Sequence, residues 1–282
     1  MEVQLAKIKF NLLACCSIGL ASFFLTFFGA CQLKNKSNLV DNNNKKELYA
    51  TNFSIQEYTD YQLVTIYKTW AGAANEIKYA LYPREKPMPN LPADVVAIAV
   101  PVQKIVCTSS VQVAMLDFLG ETDKIIGLAD GKYIYNPLIF NKLENKQIAD
   151  LGNDNSFNYE KLLALQPEIT LVFGLNGDSK IAKKLSELGQ KVIYIAEFLE
   201  TEPLGRAEWV KVVAALLGKS TKEKADVLFK DSVEIPYLKI KNQLTNNQKK
   251  PTILTGLAYE GIWYVAGGSG ELLLLKGCNF GF

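Results

Sequence analysis

The side chain that most often does chemistry in proteins is missing from this sequence: none of its 282 residues is histidine. That removes the usual general base, the usual metal ligand and any histidine-containing triad. Asp130 and Asp154 are the carboxylates a hydrolase would draw on, but no G-x-S-x-G and no metal-ligand spacing accompanies them, and both suit Asx turns in loops. Gly267, Gly268 and Gly270 lack the lysine and spacing of a phosphate-binding loop, so a plain turn accounts for them. What remains points to binding. Tyr133 and Tyr135 share one loop, Phe173 and Gly174 close an apolar run, Ser109 and Ser110 follow another, and Trp263 and Tyr264 stand near the end of the chain. Aromatic faces beside small polar groups suit a pocket for a large, partly apolar ligand. Each also has a plain structural role open to it: packing for the aromatics, helix capping for the serines. A tyrosine phenolate is in addition one of the groups that ligate haem iron, which makes Tyr133 and Tyr135 candidates for that role.

The elements that must position these residues follow a strand–helix rhythm. Lys104–Cys107, Asp123–Leu128, Ile169–Phe173 and Lys191–Ile195 read as strands, and Val111–Leu119, Asn136–Leu143, Tyr159–Leu165 and Ser179–Leu188 as helices between them. Short connections and near-continuous apolar strands predict a mostly parallel sheet covered on both faces, an α/β fold. Ligands on such sheets bind outside the carboxyl ends of the strands, which selects Thr108–Ser110, Ala129–Tyr133, Phe173–Asn176 and Ala196–Phe198 as a candidate rim. Upstream, Gln62–Tyr67, Ile77–Leu81 and Val95–Val100 read as three strands of a small antiparallel addition leading into the main sheet, with prolines 83, 87, 89 and 92 stiffening one loop.

Downstream, residues 200–248 read as a helical bridge. Thr201, Glu202 and Pro203 open it, and Ala207, Val210, Val213, Ala214 and Leu217 recur on one face up to Gly218. Ser220 and Glu223 then have the spacing of a capping box for a longer helix with Ala225, Leu228, Phe229 and Ser232 on one stripe. Pro236 predicts a kink or break near Ile235. Residues 249–282 supply two strands and too little chain for a complete second lobe, so a truncated or frameshifted reading frame is one expectation.

Lys7 and Lys9 precede an uncharged apolar run, Phe10–Phe28, that ends in Gly29, Ala30 and Cys31. This resembles a bacterial lipoprotein signal peptide over residues 1–31, in which Cys31 would be lipidated and become the first mature residue. Phe28 departs from the leucine of that pattern; Leu12–Cys15 matches it better but has almost no apolar run ahead. An uncleaved transmembrane anchor is the alternative, and both place the remainder outside the cytoplasm. Residues 32–50, rich in Asn, Lys and Ser, read as a flexible tether. Removing Cys15 and Cys16 and modifying Cys31 leaves Cys107 and Cys278, too few for a disulfide framework. The 31 basic and 29 acidic residues nearly cancel, so no nucleic-acid partner is expected.

Four stretches carry a family resemblance: KIVCTSSVQVAMLDFLGETDKIIGLAD, FNYEKLLALQPEITLVFG, LGQKVIYI and EPLGRAEWVKVVAALLGKSTKEKADVLF. Together they resemble the substrate-binding proteins of bacterial ABC importers for iron-siderophore, haem and cobalamin, over roughly residues 100–267. The resemblance implies two Rossmann-like lobes joined by a long helix, the second lobe here incomplete, and no enzymatic activity. It implies a metal chelate as ligand, no resident cofactor, and an ABC permease and the membrane as partners. By its place ahead of LLALQPEI, Glu160 matches the acid with which the first lobe docks on the permease; a solvated first-turn glutamate is the alternative. The corresponding acid of the second lobe has no counterpart in this sequence. A non-transporting relic or a surface interaction protein is the competing expectation.

Overall fold

The computed structural model describes residues 48–174, 179–245 and 256–264, without the side chains of 244, 245, 257–259, 263 and 264. The signal peptide, most of the tether and most of the second lobe expected over 249–282 lie outside the described residues.

At the centre is a five-stranded parallel sheet of β5 (Ile105–Cys107), β6 (Ile125–Leu128), β7 (Ala149–Asp150), β8 (Ile169–Val172) and β9 (Val192–Tyr194), in the order β7-β6-β5-β8-β9. Every residue of β5, β8 and β9 is buried, as expected of strands with helices on both faces. The α/β class expected of the sequence is the one observed. The helices are α1 (Ser110–Leu119), α2 (Pro137–Glu144), α3 (Tyr159–Leu165) and α4 (Lys180–Glu187). Asn136, Asn158 and Ser179 cap α2, α3 and α4 through their side chains, each worth about 1 kcal/mol. The two-residue β7 was too short to carry an apolar pattern.

A second sheet of β1 (Phe53–Glu57), β2 (Gln62–Ile66), β3 (Ile77–Pro83) and β4 (Val95–Val100) differs from the expected antiparallel addition in two ways. It is separate from the main sheet, and β4 runs parallel to β3, whereas β1–β2 and β2–β3 are antiparallel. The proline-rich connection from Arg84 to Asp94 is long enough to carry the chain back to the start of β3, as a parallel crossover requires. The sheets share one core: Phe53 meets Trp209 edge-on with centroids 5.1 Å apart, and Tyr194 N donates to the buried Tyr79 hydroxyl at 3.2 Å. Burial pushes the Tyr79 phenol well above its ordinary range. The Cys107 thiol, likewise buried, is pushed up in the same way, so it behaves as a small apolar residue.

The bridge is more divided than the sequence suggests. It contains α5 (Pro203–Glu208), α6 (Val210–Leu216), α7 (Lys219–Phe229), one π-helical turn at Lys230–Glu234, and α8 (Ile235–Thr245). The stripe of Val210, Val213, Ala214 and Leu217 is buried as expected. Ser220 and Glu223 form no capping box. Gly218, at φ +95°, takes the N-cap position of α7, and a Cβ there would sit 3.3 Å from Pro101 Cβ. Helix therefore begins at Lys219, and Glu223 turns outward toward Lys219 at 3.9 Å.

Pro236 neither breaks nor ends the helix. A proline clashes with the carbonyl four residues earlier and donates no hydrogen bond, and the wider π turn directly before α8 accommodates both defects. The turn inserts one residue into the helical phase. Ala225 and Phe229 face the core as expected, but Ser232 is exposed and Val233 and Glu234 take the inward positions.

Candidate functional site

The chain leaves β5 toward β6 and β7 on one side of the sheet, then returns to place β8 and β9 on the other. The strand order therefore reverses between β5 and β8, and the crevice beyond their carboxyl ends is where α/β sheets of this kind bind ligands. Thr108 N donates to Leu171 O at 3.2 Å, holding the start of the β5–α1 loop against β8.

At that edge Ser109 is committed to the helix. Its Oγ accepts from Gln112 N at 3.4 Å, and Gln112 Oε1 accepts in return from Ser109 N at 3.1 Å and Thr108 N at 2.8 Å. This capping box consumes the Ser109 acceptor. Ser110, the first residue of α1, is exposed and faces a cleft of about 480 Å³ that Tyr133, Tyr135 and Asn136 also line. The structure thus brings Ser110, Tyr133 and Tyr135 together. The Tyr133 ring is 51% exposed with Lys132 Nζ 4.7 Å from its centroid, and Tyr135 is 86% exposed. Gly131–Tyr133 form a 3-10 turn, entered by Asp130 at φ +54°, which aims this loop toward α1.

Phe173 and Gly174 follow β8 at the same edge, the first half-buried and the second buried, and neither lines that cleft. Trp263 lies in β11 (Ile262–Tyr264), paired with Ala258 of β10 (Leu257–Tyr259). Its side chain lies outside the described residues, as do Asn176 and Cys31.

A second cleft, of about 410 Å³, flanks α1 on its other side. Val111 and Ala114 border both clefts, so the exposed ridge of α1 separates them. Met115, Phe118, Val210 and Val233 give the second cleft an apolar floor, with Glu197, Glu202 and Arg206 also on its wall. Burial raises the Glu197 carboxyl above its ordinary range, while the nearby Arg206 guanidinium partly offsets the shift. The sequence reading missed Val111, Ala114 and Phe118. The available signal was that Val111, Ala114 and Phe118 are apolar residues of α1 on the face opposite Val113, Leu116 and Leu119.

Glu160 is exposed in the first turn of α3, beside the Asn158 cap, whose Oδ1 accepts from Lys161 N at 2.8 Å. The Asx turns near Asp130 and Asp154 are made by their neighbours: Asp150 Oδ1 accepts from Gly152 N at 2.9 Å and Asn153 Oδ1 from Asn155 N at 3.0 Å. Among the described residues no group of three or more His, Cys, Asp or Glu side chains could hold a metal ion, and no helix is long and apolar enough to cross a membrane.

Similarity to known proteins agrees with this architecture. Two uncharacterized lipoproteins of Methanocaldococcus jannaschii match the chain. One is 30% identical over 210 residues, covering 70% of this chain and 49% of the relative; the other is 27% identical over 182 residues, covering 63% and 46%. The chain thus spans about half the length of the curated relatives it matches. A solved periplasmic binding protein from Veillonella parvula is similar in fold, with a TM-score of 0.52 at 18% identity, covering 76% of this chain and 64% of that one. The model of the family described as periplasmic binding protein matches residues 105–273, the central sheet and the bridge included, and on that match the chain belongs to the periplasmic binding protein family.

Proposed function

We propose that this protein is the solute-binding component of an ABC importer, which captures a metal chelate of the iron-siderophore, haem or cobalamin class outside the cytoplasm and delivers it to the membrane permease. The observation that carries the reading is the open cleft beyond the carboxyl ends of β5 and β6, where Ser110, Tyr133 and Tyr135 converge. A broad ligand of mixed polarity would gain contact area from the two tyrosine rings and orientation from a few hydroxyls. Ser109, Phe173 and Gly174 remain proposed contributors at the same edge, and Trp263 a proposed contributor from β11. The proposed work is binding and release, as the match to the periplasmic binding protein family supports. In this reading Glu160 is the acidic contact to the permease, Cys31 carries the lipid, and the segment after it holds the folded part off the membrane; the tether expected over 32–50 ends earlier than that, because Leu48, Tyr49 and Ala50 pack against the core.

The test is a titration of the full chain, solubilised in detergent, with cobalamin, haem and a panel of ferric siderophores, followed by tryptophan fluorescence and calorimetry. Saturable one-to-one binding of one of these, weakened by Tyr133→Ala, is the expected result. Absence of saturable binding across the panel would overturn the proposal.

A further inference from the structure

Three glutamates of the bridge are almost fully buried: Glu200 at 2% exposure, Glu208 at 1% and Glu234 at 6%. Desolvating a carboxylate is costly unless donors replace its water. Most of the donors here come from one short segment at the other end of the chain. Tyr49 N and Ala50 N donate to Glu208 Oε2 at 2.6 and 3.0 Å. Thr51 N and Oγ1 donate to Glu200 Oε2 at 2.9 and 3.0 Å, and Asn52 N donates to Glu200 Oε1 at 2.9 Å. The Tyr49 hydroxyl donates to Glu234 Oε1 at 2.6 Å. Gly205 lets this strap lie directly on α5, because a Cβ there would come within 3.0 Å of Tyr49 O.

The third contact differs from the other two in what it touches. Glu234 is the last residue of the π turn, and an α-helix advances about 100° per residue. With one residue more per turn, the π register keeps Glu234 on the inward face; an all-α register would carry it about 100° away from Tyr49. The bond therefore belongs to one register only. The same register sets the rotational phase of all of α8, including the exposed Ile235 and Ile240, which lie on the helix leading toward the second lobe.

We propose that Tyr49–Asn52 act as a latch: the strap, clamped by Glu200 and Glu208, holds Glu234 through the Tyr49 hydroxyl and so selects the π register that fixes the phase of α8. Attachment of the N-terminal segment and orientation of the bridge become one coupled conformational unit. The coupling does not depend on which solute is bound. The rival cause of the π turn is Pro236 alone, which would produce the same widening without help from the strap.

Hydrogen–deuterium exchange on the full chain in detergent separates the two. Tyr49→Phe removes one hydroxyl and leaves the ring beside Phe229, 6.4 Å between centroids. Exchange over residues 230–241 should then accelerate about tenfold, with β5 and β8 unchanged, as expected for one charge-assisted hydrogen bond lost from a local opening. Gly205→Ala, which pushes the strap off α5 without touching Glu234, should accelerate the same residues. Unchanged exchange over 230–241 in Tyr49→Phe, or an acceleration spread equally over β5 and β8, would overturn the latch.

Discussion

The Trp209 indole N–H donates to Glu200 Oε1 at 3.0 Å, so the largest fully buried side chain of the lobe is tied to a buried carboxylate nine residues earlier. Among the described residues Glu200 accepts from Thr51 N, Thr51 Oγ1, Asn52 N and Trp209 Nε1. Removing it strands the buried Asn52 N and Trp209 Nε1 donors, whereas Thr51 is exposed and its donors can turn to water. Glu200→Ala should destabilise the lobe by about 3 kcal/mol, and Glu200→Gln, which keeps one strong acceptor, by roughly half as much. Urea unfolding of wild type and both variants checks the order; equal stability of all three would contradict it.

Tyr49 gives the fold an alkaline limit. Its hydrogen bond to Glu234, then burial, then the Glu234 and Glu208 charges, push the phenol from its ordinary value to about 12. A folded-state pKa above the unfolded value contributes stability that is fully present below the unfolded pKa, near 10, and is lost as pH rises through 12. Tyr49→Phe should therefore be less stable than wild type at pH 8, with the gap closing between about pH 10 and pH 12. Thermal melts across that window measure it, and a gap that widens with pH would reverse the assignment.

Three glycines at positive φ predict a graded series. Gly189, at φ +73°, has open space around a would-be Cβ, whereas at Gly218 that atom would lie 3.3 Å from Pro101 Cβ and at Gly152 2.5 Å from Ser156 O. Alanine at Gly189 should cost about 1 kcal/mol for the left-handed backbone alone, with Gly218→Ala larger and Gly152→Ala largest. Unfolding midpoints of the three variants give the ranking.

If the cleft beside α1 holds the solute, Tyr133→Ala should weaken binding about tenfold, the loss of one aromatic contact, while leaving unfolding nearly unchanged because the ring is half exposed. Ser109→Ala should do the opposite. It removes the α1 cap, costing about 1 kcal/mol of stability, with a small effect on affinity.

Glu160 separates docking from binding. Glu160→Gln should leave solute affinity as it is and cost at most about 0.5 kcal/mol of stability, since the side chain is exposed in the first turn of α3, and should lower stimulation of the permease ATPase in proteoliposomes. Full stimulation by the variant would remove Glu160 from the proposed contact.

Local rules were legible in the chain itself. The period of apolar residues placed β5, β6, β8, β9 and the helices around them to within a few residues, because each element must turn its apolar residues to one core. Ser109 and Gly120 marked the ends of α1 for the same reason, satisfying groups a helix cannot satisfy internally, whereas Asn136, Asn158 and Ser179 showed themselves as caps only in the structure. Tertiary structure alone decided what depends on residues far apart. Glu200, Glu208 and Glu234 look like ordinary solvated acids in sequence, and in the fold backbone N–H groups 148 to 159 residues away and the Tyr49 hydroxyl 185 residues away join the nearby Trp209 and Lys211 in replacing their water. Pro236 announced a disturbed helix but not its form, a π-helical turn at Lys230–Glu234 directly before α8. The pairing of Ser110 with Tyr133 and Tyr135 likewise required the parallel order of β5 and β6, which sets two loops side by side at one edge of the sheet.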